Sequence, residues 1–346
     1  MLDKLASSLT SLSFRRNALA GLLAIVPLLV LLCGLEISQR LWRPLAQMAE
    51  PFSFGGAVFR HTIMALTQFL FLVLPLIAIE YLFPTSRPSM RSYAIGIAGW
   101  SLAWALGYIV GLATQTLTGQ LGVPPLVIVK VSAYSSIVTV ALVFLNMFIL
   151  DFFYYWFHRM QHAISALWRL HAVHHSIREL NSVMNFHHPL EDLIRIIPMT
   201  LPLALLVRFD DLPVIPIVSA FISAWALFIH ADSRVNFGPG RMFLADARYH
   251  RIHHSEREEH HNRNFAAFFP FWDRLFGTIH MPAHDEYPTV GLPVRPSGVT
   301  VRDYFFGVST TARPTGGLDH LGRFTSLGLM LLVMSAMLAL PLLALR

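Results

Sequence analysis

The sequence predicts an all-α fold: a multi-pass bundle of transmembrane helices with a cytoplasmic, histidine-rich helical cap that holds a di-metal site. Of the 346 residues, 55% are hydrophobic and only 13% are charged, which is too apolar for an ordinary soluble domain. Several apolar stretches approach or exceed the roughly 20 residues with which a helix crosses a hydrocarbon core. The 17 histidines concentrate in one part of the chain and follow helical spacings.

Five apolar stretches have the length and composition of membrane spans. We predict spans over residues 17–36, 62–83, 93–117, 126–150 and 324–345. A further apolar stretch, 193–229, contains an internal polar group that predicts two helices joined by a tight turn; the group consists of Arg208, Asp210, Asp211 and Pro213. The first span follows basic residues, as a signal peptide does, but it is long and no clear small-residue cleavage site follows it. We interpret it as an anchoring helix.

The basic residues near the spans predict their orientation. Cytoplasmic flanks carry an excess of Lys and Arg, and such residues precede the first span and follow the second: Lys4, Arg15, Arg16, Arg87 and Arg91. This orientation puts the histidine-rich part in the cytoplasm. Three further arginines would then lie in the first external loop, so either residues 37–61 lie along the interface or the orientation differs; these are Arg40, Arg43 and Arg60.

The chain divides into three predicted parts. Residues 1–125 form N-terminal transmembrane helices, residues 126–290 form the histidine-rich domain, and residues 291–346 form a C-terminal segment with the final span. We expect the polar stretch 231–322 to pack on the helices, because it has too few apolar residues for a core of its own. The single cysteine, Cys33, excludes a disulfide framework and a thiolate metal site. The net charge of +6 comes from basic residues at helix ends, which favours a membrane surface over nucleic acid.

The histidines fall into three motifs. His158 and His162 are four residues apart and so share a helix face. The pattern H-x-x-H-H occurs twice, at His171-Ala-Val-His174-His175 and at His250-Arg-Ile-His253-His254. In a helix the first and last histidines of that pattern share a face while the middle one points away, so three imidazoles can reach two adjacent ions. Eight candidate metal ligands follow: His158, His162, His171, His174, His175, His250, His253 and His254.

Other polar residues near these motifs have more than one interpretation. His230 ends the second helix of the predicted hairpin and is a further candidate ligand, while either His187 or His188 can complete the site or begin the hairpin. Asp151, two turns before His158, is placed to accept the free ring N–H of a ligand histidine. His260 and His261 follow an acidic run and are interpreted as solvated loop residues. Four histidines outside any motif are interpreted as structural: His61, His280, His284 and His320.

The ligand type limits the chemistry. Neutral imidazoles without thiolates suit Fe, Zn, Cu or Ni. A structural zinc site needs only four ligands, so eight or more histidines predict two ions with open positions. Redox-capable iron with open positions indicates O₂ activation and abstraction of hydrogen from an unactivated C–H bond, a reaction that the metal must carry. The protein would position a lipid and exclude water.

These motifs resemble the fatty acid hydroxylase and sterol desaturase superfamily of integral membrane di-iron enzymes. The resemblance runs from about Asp151 to His280 and includes the closing run Trp272-Asp-Arg-Leu-Phe-Gly-Thr278. It implies that residues 126–290 are a di-iron catalytic domain using O₂ as co-substrate. The eight histidines become iron ligands, with His230 and one of His187 or His188 added, His188 being the one we include. Asp151, Asn264 and Asp273 become residues that orient the ligands.

The resemblance also implies the reaction and its partners. We expect hydroxylation, or desaturation, of a lipid such as a sterol, a fatty acyl chain or an ether lipid. The sequence has no flavin or nicotinamide fingerprint and no cysteine cluster, so electrons must come from a separate reductase, ferredoxin or cytochrome.

Two other classes of membrane protein remain open. A divalent-metal transporter would need polar ligands in the middle of the membrane, where the predicted spans contain almost none. A bis-histidine haem protein would require single histidines that face each other on different helices. The triplets favour an oxygenase over both.

Overall fold

The computed structural model describes residues 72–121, 125–130, 136–210, 214–283, 285–293 and 300–308. This part of the chain is mostly helical, as predicted. The predicted spans 17–36 and 324–345, together with residues 62–71 of the second span, lie outside the described residues. Within the described ranges, no helix combines the length and the apolar character that crossing a membrane requires.

The helices and strands follow one another closely along the chain. Residues 72–82 are helical. The labelled helices and strands that come after them are α1 (Met90–Leu121), β1 (Val127–Lys130), α2 (Ser136–Ala163), α3 (Ser165–His175), α4 (Pro189–Ile194), α5 (Leu201–Leu206), β2 (Val207–Asp210), α6 (Val214–Ile229), α7 (Ala247–His253), α8 (Phe271–Leu275) and α9 (Val301–Phe306). A π-helix covers Ile196–Thr200, and short 3₁₀ turns cover Gly238–Met242 and Glu258–His260.

The predicted helix over 126–150 is wrong at its start. Residues Val127–Lys130 form a strand that pairs in parallel with Val207–Asp210, so Val127 lies opposite Val207. Both strands begin with residues whose branched side chains favour extended backbone. Helix α2 begins only at Ser136 and then runs through the first histidine motif. The small sheet also departs from the all-α prediction, whereas α1 contains the whole predicted span 93–117.

The predicted hairpin over 193–229 is correct for its second arm, helix α6. The first arm is not one helix: α4, the π-helix and α5 follow in succession, and the arm ends in β2. Pro198 and Pro202 explain the breaks, because proline has no backbone N–H for the helical hydrogen bond. Arg208 and Asp210, predicted to lie in the turn, are part of the strand.

Helix α1 packs very closely on the loop that follows α3. A side chain at Gly96 would come within 2.7 Å of Val183, and one at Gly99 within 2.8 Å of Phe186. Only glycine allows this approach. The contact fixes Phe186, whose backbone carbonyl lies 3.1 Å from Nδ1 of His174.

The described part of the polar stretch 231–322 packs on the helices, as we expected. Phe265 and Ala266 belong to one buried cluster with Tyr155, Phe157 and Met160 of α2. Trp272 of α8 packs against Phe148 in a tilted arrangement, with ring centroids 4.4 Å apart. This layer holds helix α7 and the loop after it over the end of α2.

Candidate metal centre

Five buried histidines from three helices form the first cluster. Helix α2 supplies His158 and His162, α3 supplies His171 and His175, and α7 supplies His253. Their ligand atoms all lie within 4.8 Å of one another. The Nε2 atom of His171 lies 3.0 Å from that of His158 and 3.2 Å from that of His175. We call this group the five-histidine cluster.

Four buried histidines form a second cluster beside it, the four-histidine cluster. It contains His174 of α3, His230 just beyond α6, and His250 and His254 of the α7 motif. The Nε2 atoms of His250 and His230 are 3.0 Å apart, and those of His254 and His250 are 3.1 Å apart. The rings of His175 and His254 stack with centroids 4.7 Å apart, which joins the two clusters.

The two H-x-x-H-H motifs divide between the clusters in opposite ways. The first motif gives its outer histidines to the five-histidine cluster and its middle one, His174, to the four-histidine cluster. The second motif gives its outer histidines to the four-histidine cluster and its middle one, His253, to the other. The predicted geometry, in which one motif reaches two sites, is therefore present in both copies.

Backbone carbonyls fix the ring tautomers in both clusters. The Nδ1 atom of His158 lies 2.8 Å from the carbonyl of Phe265, and that of His253 lies 2.8 Å from the carbonyl of Arg263. A carbonyl only accepts hydrogen bonds, so we assign the ring hydrogen to Nδ1 and a lone pair to Nε2. In the same way His174 donates to Phe186 and His230 to Ala226.

The facing Nε2 atoms fit a bound cation. His174 and His230 each donate through Nδ1, yet their Nε2 atoms lie 3.2 Å apart. Neither atom then carries a hydrogen, and two lone pairs at this distance repel unless a positive charge lies between them. Burial, followed by the neighbouring imidazoles, holds the pKa of His174 and of His254 well below its usual range. The rings are therefore neutral, the state in which imidazole binds metals.

A carboxylate that the sequence interpretation did not single out contacts the five-histidine cluster. Glu191 Oε2 lies 3.1 Å from Nδ1 of His171, and Gln161 donates to the same oxygen. Burial raises the pKa of Glu191 to about 8. Such a group orients a ligand ring and increases its basicity. The signal was present as a capping pattern, because Glu191 follows His188 by three residues at a helix start.

His188, and not His187, was included among the candidate ligands, and the structure places the two residues the other way round. His188 caps α4, its ring accepting from the N–H of Leu190, and it belongs to neither cluster. His187 instead stacks on His174, with ring centroids 3.9 Å apart, and lies with His171 and Glu191 in a third possible ligand group. Pro189 is the first residue of α4, so His188 is the residue that caps the helix.

The hypothesis that Asp151 orients a ligand histidine is wrong. Its two oxygens accept the backbone N–H groups of Ala267, Phe268 and Phe269 at 2.8 to 3.2 Å. The ring of His158 is instead held by the carbonyl of Phe265. Asp151 therefore acts at one remove, because it anchors the loop that carries this carbonyl.

Asn264 and Asp273 also act on this loop. Asp273 accepts from the N–H groups of Phe265 and Ala266 at 2.8 Å. Asn264 has a left-handed backbone with φ of 58° and donates to the carbonyl of Tyr249 at 3.0 Å. Both side chains therefore fix the backbone between the carbonyls that hold His253 and His158.

A cavity of about 460 Å³ borders the four-histidine cluster. His230 and His187 form part of its wall, and most of the remaining wall is apolar, with Leu150, Trp225 and Phe268 among its residues. Asp192 and Arg195, joined by a 2.8 Å ion pair, add a charged region. A pocket of this size and character is typical of sites for small molecules or parts of lipids.

The fold and the site together define a mostly helical protein with two adjacent, buried, all-histidine clusters suited to a pair of metal ions. Residues 143–278 match the family model described as fatty acid hydroxylase. This match agrees with the family resemblance that the histidine motifs predicted.

Three relatives indicate the breadth of the similarity. Human (Homo sapiens) alkylglycerol monooxygenase is 30% identical over 41% of this chain and 31% of its own length, and that of Danio rerio is 31% identical over 37% and 28%. Ornithine lipid hydroxylase OlsE of Rhizobium tropici is 32% identical over 43% of this chain and 45% of its own. The matched region spans less than half the length of each relative. The predicted enzyme class, an O₂-dependent oxidoreductase, agrees with all three names. No solved structure matches the chain.

Proposed function

We propose that this chain is a membrane-bound di-iron oxygenase that hydroxylates, or desaturates, an unactivated C–H bond of a lipid, using O₂ and external electrons. The observation that carries the proposal is the position of the four-histidine cluster at the wall of a mainly apolar cavity. Metal-binding residues and a site for an apolar chain meet there.

The proposed ligands are the nine histidines of the two clusters, with His187 as a neighbour that can reach the cavity. Bound iron supplies the activation of O₂ and the abstraction of hydrogen, which side chains cannot perform. The protein keeps the rings neutral by burial and fixes their tautomers through the carbonyls of Phe265, Phe186, Ala226 and Arg263. Glu191 holds the ring of His171 through Nδ1, which leaves Nε2 facing the other histidines of the cluster.

The cavity supports a lipid as the substrate. Its apolar wall suits an acyl, alkyl or sterol portion, and the ion pair of Asp192 and Arg195 suits a polar head group or a hydroxyl. The relatives are named for an alkylglycerol and an ornithine lipid, which favours a chain with a polar head. A separate reductase, ferredoxin or cytochrome completes the reaction.

The membrane placement is part of the proposal. We infer a multi-pass protein, with spans that include the apolar stretches 17–36 and 324–345, and with the histidine clusters on the cytoplasmic side. A reporter that is active only in the cytoplasm is fused after residue 290. We expect this fusion to be active. An extracytoplasmic reporter would reverse the orientation and leave the chemistry unchanged.

The function is tested by comparing the intact protein with His174→Ala. We expect purified wild-type protein to hold about two iron ions per chain and to produce an oxidised or unsaturated lipid in cells. The variant should lose iron and leave the lipid extract as in cells without the protein. His261→Gln, at a partly buried histidine outside both clusters, is the control and should retain both the iron and the lipid product. Absence of iron with an unchanged lipid profile in wild type would exclude the oxygenase; transport of divalent ions would then be the alternative to test.

A further inference from the structure

Another group of side chains of the kind that bind metals lies apart from the two clusters and from the group of His171, His187 and Glu191. It consists of His260 in a 3₁₀ turn, His280 just after the closing motif of the domain, and Glu286. Glu286 Oε1 is 3.1 Å from Nε2 of His260, and Glu286 Oε2 is 3.5 Å from Nε2 of His280. We call it the His260 group.

The burial of His260 contradicts its interpretation as a solvated loop residue. Its side chain is 1% exposed, and within the described residues its Nδ1 atom has no hydrogen-bond partner. His280 was interpreted as structural, yet its ring lies 4.6 Å from that of His260. Leaving a polar ring buried beside a second imidazole is costly without a compensating partner.

An ion pair with Glu286 does not account for this arrangement. The Nε2 atom of His260 has no hydrogen-bond partner within the described residues, although Glu286 Oε1 lies 3.1 Å from it, so the approach is not a hydrogen bond. Arg257 also approaches Glu286, at 3.6 Å, but its side chain is half exposed, so solvent screens this ion pair. The N–H of Ala283 donates to Glu286 Oε2 at 2.9 Å and fixes the carboxylate toward the two rings.

The donor set and its spacing suit zinc. Two imidazoles and one carboxylate are an established zinc donor set, with one position left for water. Ligand bonds of about 2.0 to 2.2 Å in tetrahedral geometry place ligand atoms about 3.3 to 3.5 Å apart. Nε2 of His260 lies 3.1 Å from one oxygen of Glu286, and Nε2 of His280 lies 3.5 Å from the other. One ligand atom from each of the three residues lies within 4.8 Å of the other two, so a small adjustment brings them to this spacing.

We propose that His260, His280 and Glu286 bind one zinc ion, separate from the metal pair. The ion joins the turn after the third histidine motif to the segment beyond the closing motif. This segment is tied to the metal centre, because the N–H of His280 donates to Asn264 at 2.7 Å and Asn264 donates back to the carbonyl of His280 at 2.9 Å. The residue before Asn264 supplies the carbonyl that holds His253. Zinc would therefore stabilise the loop that positions a ligand of the five-histidine cluster.

The experiment is a metal analysis of the full chain, purified in detergent from zinc-supplemented cells, as wild type and as the variants Glu286→Gln, His280→Gln and His261→Gln. Glu286→Gln keeps the shape of the side chain and removes its charge. His280 is 30% exposed, so His280→Gln provides a second variant if the first fails to fold. His261→Gln, next to the group but outside it, is the matched control.

We expect Glu286→Gln and His280→Gln each to lose about one zinc per chain relative to wild type and His261→Gln. This loss should not depend on which metal fills the two histidine clusters, because the measurement compares zinc per chain between each variant and wild type. Equal zinc in all four proteins would overturn the proposal, and so would an equal loss in the control. This outcome is independent of the lipid reaction, since no activity is measured.

Discussion

The five-histidine and four-histidine clusters share helices α3 and α7 but have different surroundings. The five-histidine cluster is enclosed by protein, with Trp168 and Phe265 against its rings and Glu191 behind His171. The four-histidine cluster has one ligand fewer and borders the cavity through His230. We infer that the second cluster is where O₂ and the lipid meet, while the first supports it. The difference shows how one repeated motif can serve two environments.

The largest expected effect comes from removing one histidine from each cluster in turn. His174→Ala leaves three histidines in the four-histidine cluster. We expect it to reduce product formation by at least about 100-fold and to lose the metal of that cluster. His162→Ala leaves four ligands in the other cluster, enough for a complete site, and should retain more metal. Iron per chain and product are measured for both. Equal metal loss in the two variants would remove the distinction between the clusters.

Narrowing the cavity tests whether it serves the four-histidine cluster. Ser223 lines the cavity, so Ser223→Phe should reduce product roughly 10- to 100-fold by displacing the substrate from the reacting position. Metal content should not change. Ala113→Phe, at an exposed position of α1, is the control with the same added bulk. Full activity in Ser223→Phe would show that the lipid enters elsewhere.

Glu191 should matter only to the five-histidine cluster. Glu191→Gln keeps an oxygen near His171 but removes the carboxylate, and partners of this kind typically change metal affinity about 10- to 100-fold. We expect weaker retention of one metal during dialysis against a chelator. Asp192→Asn, at the neighbouring carboxylate that pairs with Arg195, is the control and should retain both metals. Loss of both metals in Glu191→Gln would contradict its assignment to one cluster.

The smallest expected effect concerns pH and the metal-free protein. Burial lowers the pKa of His171, His175, His250 and His253 well below 6.5. As the pH falls below 6.5 the unfolded chain gains protons on these rings before the folded chain does, so the free energy of unfolding decreases. Burial raises the pKa of several carboxyl groups, that of Glu191 to about 8 and that of Asp151 to about 7, and these groups oppose the trend. The buried histidines whose pKa is lowered outnumber them, so the net effect keeps its sign.

Thermal unfolding followed by circular dichroism measures this effect. The midpoint of the metal-free protein should be several degrees lower at pH 5.5 than at pH 7.5, since about 1 kcal/mol shifts a domain of this size by roughly 2 to 4 °C. The metal-loaded protein at pH 7.5 provides the reference for the folded state. A midpoint that rises on acidification would mean that the rings are not buried as neutral groups.

The sequence predicted the histidine clusters because their geometry is local. A four-residue spacing brings side chains to one helix face whatever surrounds the helix, so His158 and His162, and both triplet motifs, were identified. The partner of Asp151 lies 116 residues away along the chain, and no local pattern indicates that contact. The strand at Val127 was missed for the same reason, since its partner strand begins only at Val207.

The His260 group and Glu191 show a second limit. A histidine after an acidic run is usually solvated, and burial of His260 results from the packing of distant loops, which periodicity does not reveal. The choice between His187 and His188 depended on which of them caps α4. The two differ by one position, and the start of a helix cannot be predicted from sequence that accurately.

The opposite division of the two triplet motifs has a consequence for assembly. Neither cluster can be completed by one helix, because each needs α3 and α7 docked together. An ion that binds at either cluster therefore prepares the other one, and uptake should be cooperative. A titration of the metal-free protein is expected to pass from empty to doubly loaded chains, with few singly loaded chains between them.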